Sequence, residues 1–321
     1  MEKYPMKTRS VPKNIIWGGT RLKREYNKTS PFENIAESWE LTVREDGMSV
    51  IENGLYAGMT LEEYLKGEMS AMGESVGGGK FPLLVKFIDA GDDLSIQVHP
   101  DDAFAAENGG DGKTEMWYIT DATHDASLIY GLRDEVSLDN FAEYVKSGKT
   151  ADALRRISVH KGETYFIPSG QVHAICRGVT LAEIQQNSNT TYRIYDYDRV
   201  GKDGKKRELH TDKALKVIKK LTDDEIDAKR AGSKIGRRII CPCGEVLCDC
   251  IYFKVTKITS PVELNVDASS FASLLFLEAE DTAVSCGGVS VDVVKGDHVF
   301  VPAGSGKVTV SGKAELLVSE V

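Results

Sequence analysis

Short apolar or alternating runs, broken by Gly, Pro, Asp and Asn, make up most of the chain. Such runs are typical of strands in antiparallel sheets, because side chains alternate between the two faces of a strand. We therefore predict a mainly β protein. The pattern is clearest in FPLLVKFID, LSIQVHP, EMWYIT, ASLIYGL, ETYFIPSG, LAEIQQ, YFKVTKI and SLLFLEA.

Helical periodicity is confined to three places, which we interpret as surface helices inserted between groups of strands. They are TLEEYLKGEM, residues 137–157, and DKALKVIKKL followed by TDDEIDAKR. The glycine-rich loop GESVGGGKFP lacks the spacing of a phosphate-binding loop and leads into a strand. We interpret it as a flexible connector, with a lid over the active site as the alternative.

One segment of the chain echoes another. KGETYFIPSGQVHAI, residues 161–175, resembles KGDHVFVPAGSGKVTV, residues 295–310. Each reads as Gly with an acidic residue, a short strand, a Pro-containing turn and a second strand, which predicts two β-barrel modules of one kind. His173 has no counterpart in the second copy, so only the first module is expected to carry chemistry.

Composition narrows the possible partners. The chain has 321 residues, a formal net charge of −9 and a pI near 5.3. An acidic protein is a poor partner for nucleic acid or an anionic membrane surface. The first residues lack the apolar core of a secretion signal, and no stretch is long enough to span a bilayer, so we predict a cytoplasmic protein.

Four cysteines cluster in CPCGEVLCDC, namely Cys241, Cys243, Cys248 and Cys250. The C-x-C spacing differs from the C-x-x-C of structural zinc sites, and no histidine accompanies the cluster. In a reducing compartment we favour ordinary thiols, with a bound metal as the alternative.

Four other residues suggest a metal site. Gln97 and His99 are two apart in a predicted strand and therefore project from one face, while Glu115 begins another strand and His173 follows the turn IPSGQ. Two imidazoles, a carboxylate and an amide oxygen suit zinc, with manganese, iron or cobalt as competitors. Each histidine taken singly is equally compatible with a structural role. The histidines without comparable partners are His124, His160, His210 and His298.

The chain resembles the cupin superfamily in the turn that contains Pro168, Gly170 and His173, and in the histidine and the carboxylate that precede this turn. The strings LSIQVHPDD, GKTEMWYI, IPSGQVHAI and EIQQNSNTTYR resemble type I mannose-6-phosphate isomerases, over most of the chain. This resemblance implies two cupin-type jelly-roll β-barrel modules with a few surface helices inserted. It also implies one Zn²⁺ per chain, bound by Gln97, His99, Glu115 and His173.

The expected domains are a catalytic module, residues 1–240, and a C-terminal module without metal ligands, residues 241–321. The first would include a helical insertion at about 134–158 and a helical linker at about 209–230.

The resemblance assigns further residues. Arg193 matches the active-site arginine of the family, Lys113 and Glu183 match proton-handling positions, and Lys86 and Ser95 match positions lining a sugar-phosphate pocket. The chain departs from longer members of the family in two places. These are Asn189, where aspartate is common, and Ile175, where tyrosine is common.

The implied reaction interconverts mannose 6-phosphate and fructose 6-phosphate through a cis-enediol. A metal and Arg193 would stabilise the negative charge that develops on oxygen, and either Glu183 or Lys113 would carry the proton. Alternatives are a cupin oxygenase or epimerase, and a non-enzymatic sugar-binding or regulatory cupin. The expected partner is a small sugar phosphate, and the sequence does not predict an oligomeric state.

Overall fold

The structure is a computed structural model that describes residues 1–201, 204–232 and 244–321. Within these ranges the chain is mainly β, as predicted. The strands of the first half are β1 (Met6–Arg9), β2 (Val11–Lys13), β3 (Glu37–Leu41), β4 (Val43–Arg44), β5 (Gly47–Met48), β6 (Val50–Ile51), β7 (Leu83–Asp89), β8 (Ile96–Val98), β9 (Glu115–Ala122), β10 (Ser127–Leu132) and β11 (Leu154–Ser158).

The remaining strands include two of 15 residues each, β19 and β22. In chain order they are β12 (Thr164–Ile167), β13 (His173–Ile175), β14 (Val179–Gln186), β15 (Tyr192–Tyr195), β16 (Glu245–Asp249), β17 (Lys254–Thr259), β18 (Val262–Val266), β19 (Ala272–Cys286), β20 (Val289–Val293), β21 (His298–Val301) and β22 (Gly306–Glu320).

The helices are short and lie between groups of strands. The α-helices are α1 (Arg21–Glu25), α2 (Leu61–Gly67), α3 (Asp102–Glu107), α4 (Leu138–Lys146), α5 (Thr211–Val217) and α6 (Asp223–Arg230), and 3₁₀ turns cover Gly54–Tyr56, Met69–Met72 and Thr150–Ala153. None of the helices described is long and apolar enough to cross a bilayer.

The predicted helical segment at residues 137–157 needs correction. Only α4 is an α-helix, and Gly148, with φ of +72°, follows its end. A 3₁₀ turn comes next, and residues 154–158 then form β11, which pairs with β10. The expected insertion at about 134–158 is therefore helical in its first part only. The helices α1 and α3 were not predicted.

Two antiparallel sheets face each other in the catalytic module. One has the order β12-β9-β14-β7-β3-β2 and the other the order β11-β10-β13-β8-β15. In the second sheet, the side chains of β8 alternate between the two faces. Ile96 and Val98 pack outward into a cluster with Phe141 of α4 and Val217 of α5. Gln97, between them in β8, points inward to the space between the sheets, where it contacts His173.

The C-terminal residues build a nine-stranded sheet with the main order β16-β17-β22-β19-β21-β1-β6, while β18 pairs with β22 and β20 with β19. The N-terminal β1 and β6 therefore belong to a sheet made mainly by the end of the chain. All three large sheets have open edges in their hydrogen-bonding order, so the closed barrels that we predicted are not observed. The apolar side chains are buried where faces of sheets pack against each other, and not by closure of a sheet into a barrel.

The loop GESVGGGKFP lies against the C-terminal part of the chain. Its backbone at Glu74 and Ser75 donates hydrogen bonds to the carbonyls of Ala268 and Ser269. The Ser75 hydroxyl donates to the carbonyl of Val321, 2.7 Å away. The loop thus connects the first part of the chain to the C-terminal part. None of its residues is among those that line the cavity described below, which counts against the lid alternative.

Candidate metal centre

Three side chains with metal-binding atoms meet between the two facing sheets. His173 in β13 is paired directly with Gln97 in β8, His99 follows β8, and Glu115 begins β9 in the opposite sheet. The ligand atoms of His99, Glu115 and His173 lie within 4.8 Å of one another, and all three residues are buried. Glu115 Oε1 is 3.3 Å from His173 Nε2, and Glu115 Oε2 is 3.7 Å from His99 Nε2.

Backbone carbonyls orient both imidazoles. Nδ1 of His99 lies 2.8 Å from the carbonyl oxygen of Thr190, and Nδ1 of His173 lies 2.8 Å from that of Gln171. A ring nitrogen facing a carbonyl must carry the proton, so each Nε2 turns a lone pair toward the centre. Burial lowers the pKa of His173 to about 4 and that of His99 well below its usual value, which favours the neutral, ligating form.

The carboxylate of Glu115 lacks the partners that a buried anion needs. Among the described residues no donor makes a hydrogen bond of good geometry to either oxygen, although the Lys113 ammonium lies 2.7 Å from Oε2. Burial, together with repulsion from Glu183, raises the pKa of Glu115 to about 7. A divalent cation would satisfy this carboxylate and both imidazole lone pairs, so the residues present fit zinc.

Gln97 completes the predicted ligand set but presents its amide nitrogen to the centre. Its Nε2 lies 3.3 Å from His173 Nε2, and its Oε1 accepts a hydrogen bond from the Ser95 hydroxyl at 3.3 Å.

A row of alternating buried charges leads away from the centre. Lys113 lies 3.5 Å from Glu183, whose Oε1 is 3.1 Å from the Lys86 ammonium, and Lys86 in turn lies 3.2 Å from Glu37. Burial alone would raise the pKa of Glu183, but Lys113 and Lys86, with hydrogen bonds from Lys86 and Trp117, outweigh burial and lower it to about 2. This carboxylate therefore stays ionised.

A cavity of about 330 Å³ connects these groups to solvent. Among the residues that line it are Gln97, His173, Lys113, Glu183, Lys86, Ser95 and Arg193, which were predicted from the sequence. His99 and Glu115 lie behind this lining, in contact with Lys113. A volume of this size suits one small polar molecule.

Arg193 enters the cavity from β15, where it is paired with Gln97 of β8. Its Nε donates a hydrogen bond to the Ser95 hydroxyl at 3.3 Å, and its Nη1 donates to the carbonyl of Glu208 at 2.8 Å. These two bonds hold the guanidinium on the same side of the cavity as Gln97.

Comparison with known proteins decides the family. The family model for the catalytic domain of type I phosphomannose isomerase matches residues 6–143, and the model for the cupin domain of mannose-6-phosphate isomerase matches residues 246–321. The mannose-6-phosphate isomerase ManA of Bacillus subtilis is 37% identical over 325 residues, covering 100% of both chains. The chain belongs to the type I phosphomannose isomerase family. The mannose-6-phosphate isomerase of Streptococcus mutans is 40% identical over 215 residues, or 67% of each chain.

Solved phosphomannose isomerases have the same fold. The crystal structure of the mannose 6-phosphate isomerase from Bacillus subtilis superposes with a TM-score of 0.84 at 33% identity, covering 99% of this chain and 100% of that one. A zinc-bound mannose 6-phosphate isomerase superposes with a TM-score of 0.76 at 16% identity, covering 98% of each chain.

Several cavity residues of this phosphomannose isomerase were not predicted. Glu37 binds Lys86, Trp117 donates an indole N–H to Glu183 at 2.9 Å, and Arg207 lines the cavity near Arg193. A partner for a buried lysine was to be expected, but its identity depends on the pairing of β3 with β7. Nothing in the local sequence marks Arg207.

The two departures from the longer family members both line the cavity. Ile175 is a buried residue of β13, and the Asn189 amide donates a hydrogen bond to the Asp46 carboxylate between β4 and β5.

The cysteine cluster is described only in part. Cys248 and Cys250 are buried, whereas Cys241 and Cys243 lie outside the described residues.

Proposed function

We propose that the chain interconverts mannose 6-phosphate and fructose 6-phosphate through a cis-enediol at a zinc site. The observation that carries this proposal is the meeting, in one cavity, of a metal-binding cluster, a buried lysine–glutamate row and an arginine. The names of the relatives point to the same substrate pair.

The metal would be one Zn²⁺ per chain, held by Gln97, His99, Glu115 and His173. When bound, it supplies Lewis acidity that polarises the oxygens at C1 and C2 of the sugar. The buried Glu115 carboxylate that faces both imidazoles, the two inward lone pairs and the zinc-bound relative support this assignment.

Aldose–ketose isomerisation moves one proton between C2 and C1, so a single group on one side of the sugar can carry it. We propose that Glu183 or Lys113 does so. Glu183 is ionised, as a proton acceptor must be, although the two ammonium groups that lower its pKa also weaken it as a base. The adjacent Lys113 supplies positive charge that stabilises an enediolate. Lys86 and Trp117 keep the carboxylate in place.

Arg193 would donate hydrogen bonds to the negative charge that develops on oxygen. A guanidinium suits this role because it has fixed donors and keeps its proton. Lys86 and Ser95, which border the same cavity, are proposed to contact the sugar phosphate.

Turnover tests the proposal directly. Zinc-loaded protein incubated with mannose 6-phosphate should produce fructose 6-phosphate, chelation should stop production, and added Zn²⁺ should restore it. His99→Ala should lose both zinc and turnover, whereas His160→Ala, at an exposed position, should keep both. A zinc-loaded sample that produces no fructose 6-phosphate would refute the assignment.

We also propose that the chain divides between residues 240 and 241 into two cupin-type jelly-roll modules. The point of division itself lies outside the described residues. The matched cupin domain and the separate buried core of the C-terminal strands support it. A cytoplasmic location is likewise proposed. In the described part of the chain Cys176, Cys248 and Cys286 are buried free thiols, as suits a reducing compartment.

A further inference from the structure

Three side chains form a hydrogen-bonded relay that leads from the metal centre to the cavity wall. Arg193 Nε donates to the Ser95 hydroxyl oxygen, and that hydroxyl donates to Gln97 Oε1, both at 3.3 Å. Gln97 Nε2 then faces His173 Nε2. In this arrangement the single hydrogen of the Ser95 hydroxyl is committed to Gln97.

The orientation of the Gln97 amide follows from the tautomer of His173. Because Nδ1 of His173 is bonded to the carbonyl of Gln171, Nε2 offers a lone pair and requires a donor. The amide nitrogen of Gln97 is that donor. A divalent cation reverses the requirement, because it takes the imidazole lone pair itself and accepts only the oxygen of an amide as ligand.

Turning the amide changes the bonds of Ser95. The turned amide presents Nε2 to the Ser95 oxygen, which has two lone pairs. The N–H groups of Gln97 and Arg193 then fill both, and the hydroxyl hydrogen is released. Ser95 is 2% exposed and lines the cavity, so the nearest place for a new acceptor is the cavity itself. A buried donor without an acceptor is costly, which favours a ligand oxygen there.

We propose that Gln97 and Ser95 form a two-position relay, in which zinc binding turns the amide and releases the Ser95 hydrogen to donate to an oxygen of the phosphorylated sugar. Ser95 is thus a metal-dependent donor rather than a fixed part of the pocket. The inference rests on the proposed function, which supplies the ligand. In the turned position the Ser95 hydrogen lacks an acceptor until a ligand oxygen enters the cavity, so the metal and the sugar phosphate favour the same arrangement.

A thermodynamic cycle between zinc and Ser95 tests the relay. The probe is mannitol 6-phosphate, which has no carbonyl and is not turned over, and its dissociation constant is measured by calorimetry with zinc-loaded and metal-free full-length protein. Ser95→Ala should weaken binding about tenfold in the zinc-loaded form and less than about twofold in the metal-free form. Ser95→Thr, which keeps the hydroxyl, should match the original protein in both.

Zinc affinity provides a second measurement that needs no sugar. In competition with a chromogenic chelator, Ser95→Ala should bind Zn²⁺ at least as tightly as the original protein, because Ser95 is bonded to Gln97 in both positions and its released hydrogen has no acceptor without sugar. Ser127→Ala is the matched control. Ser127 is a buried serine in β10, which belongs to the same sheet as β8, and it accepts a hydrogen bond from Arg156 Nη1 at 2.8 Å. Its substitution should leave zinc affinity unchanged.

The outcomes separate the relay from the proposed function. Equal losses of sugar-phosphate affinity in both metal states would mean that Ser95 is a fixed contact, and would overturn the relay. Much weaker zinc binding by Ser95→Ala would overturn it as well, because it would mean that Ser95 supports only the zinc-bound position of Gln97. Failure of the original protein to bind mannitol 6-phosphate in either state would count against the proposed function, and the zinc competition would still decide the relay.

Discussion

Arg193 is a cavity residue whose side chain has, within the described part of the chain, no direct contact with the four proposed zinc ligands. It contacts Ser95 and the Glu208 carbonyl but none of His99, Glu115 or His173 in the described contacts. Arg193→Ala should therefore lower kcat about 10²- to 10³-fold, the usual cost of removing a donor to a developing oxyanion. Zinc content, measured by atomic absorption, should stay at the original level.

Arg156→Ala is the control for this substitution. Arg156 likewise donates to a buried serine of the five-stranded sheet, but it is absent from the cavity lining. Its kcat should stay close to that of the original protein. An Arg193→Ala enzyme with full kcat would show that the arginine only supports the structure of β15.

The sequence predicted the metal-binding cluster because period-two alternation places Gln97 and His99 on one face, and because donor chemistry is visible in residue type. It did not predict Glu37 or Trp117. Their positions against Lys86 and Glu183 depend on the register of four neighbouring strands, which no local pattern specifies.

His298 is a buried histidine with a structural role. The Thr8 hydroxyl donates to the carbonyl of Glu40, so His298 Nδ1, 2.7 Å from Thr8 Oγ1, acts as donor to that hydroxyl. The Ser273 hydroxyl, 2.8 Å from Nε2, can then donate to the ring. The neutral imidazole is satisfied on both sides, and burial lowers the pKa of His298 to about 3.

This pKa predicts acid sensitivity. Between the unfolded pKa of about 6.5 and the folded pKa of about 3, only the unfolded chain binds the proton, so the free energy of unfolding falls as pH falls, by up to about 1.4 kcal/mol per pH unit. His298→Gln should remove this contribution. Urea unfolding at pH 7, 6 and 5 should show a shallower pH dependence for the variant than for the original protein.

The exposed His160 provides the comparison for that experiment. His160→Gln should leave the pH dependence of unfolding unchanged, because its ring is 75% exposed. Parallel slopes for His298→Gln and the original protein would show that the buried ring contributes no proton linkage.

At the scale of elements, the start of α1 depends on a close approach of two backbone segments. The helix lacks a side-chain cap from Thr20, and the Asp89 carboxylate of β7 instead accepts a hydrogen bond from the Arg21 backbone at 2.6 Å. A Cβ on Gly19 would collide with that carboxylate.

Gly19→Ala should therefore displace Asp89 and destabilise the fold by about 1–3 kcal/mol, the usual cost of overpacking. The midpoint of urea unfolding measures this loss. Gly79→Ala, in an exposed loop, should shift the midpoint by a much smaller amount. Equal shifts for the two variants would contradict the proposed collision.

Strands were easier to predict than helices. All eight segments predicted as strands contain one, because short apolar runs bounded by Gly, Pro, Asp or Asn mark buried strands as well as alternating ones. The strand β7, for example, is buried at every position. The helix α3 escaped prediction because it is six residues long and buries only Ala105, so it has no apolar stripe. Residues 154–158 were assigned to a helix because LRRI continues the helical spacing of α4, whereas pairing with β10 decides their conformation.

At the scale of the whole molecule, a buried ion pair lies where the first part of the chain meets the C-terminal part, and its lysine bonds across this contact. Lys28 Nζ lies 2.7 Å from Glu40 Oε2 and donates to the carbonyl of Gly296 at 2.6 Å. Glu40 is fully buried. Removing the lysine alone leaves an uncompensated charge, which typically costs about 3–5 kcal/mol.

Lys28→Met should therefore lower the free energy of unfolding by about that amount. The double variant Lys28→Met/Glu40→Leu should recover most of the loss, because it removes both charges. Chemical denaturation at pH 7 measures both variants. A double variant as unstable as the single one would show that the contact with Gly296, rather than the charge pair, holds the two parts together.

The internal echo anticipated similar local geometry in both modules. Gly162 and Gly296 have φ of +94° and +91°, and each precedes a short strand, β12 or β21. The sequence did not predict that β1 and β6 would join the C-terminal sheet. Pairing between strands so distant in the chain leaves no periodic signal in either one.

That pairing affects how the protein is made. Lys7 of β1 is bonded to Asp297, 290 residues later, so β1 leaves the ribosome long before its neighbour β21 exists. Until then one side of β1 is an unpaired strand edge, which is prone to pair with other chains. We infer that the nascent chain is most vulnerable to aggregation late in translation, when the catalytic strands are complete and β21 is still missing.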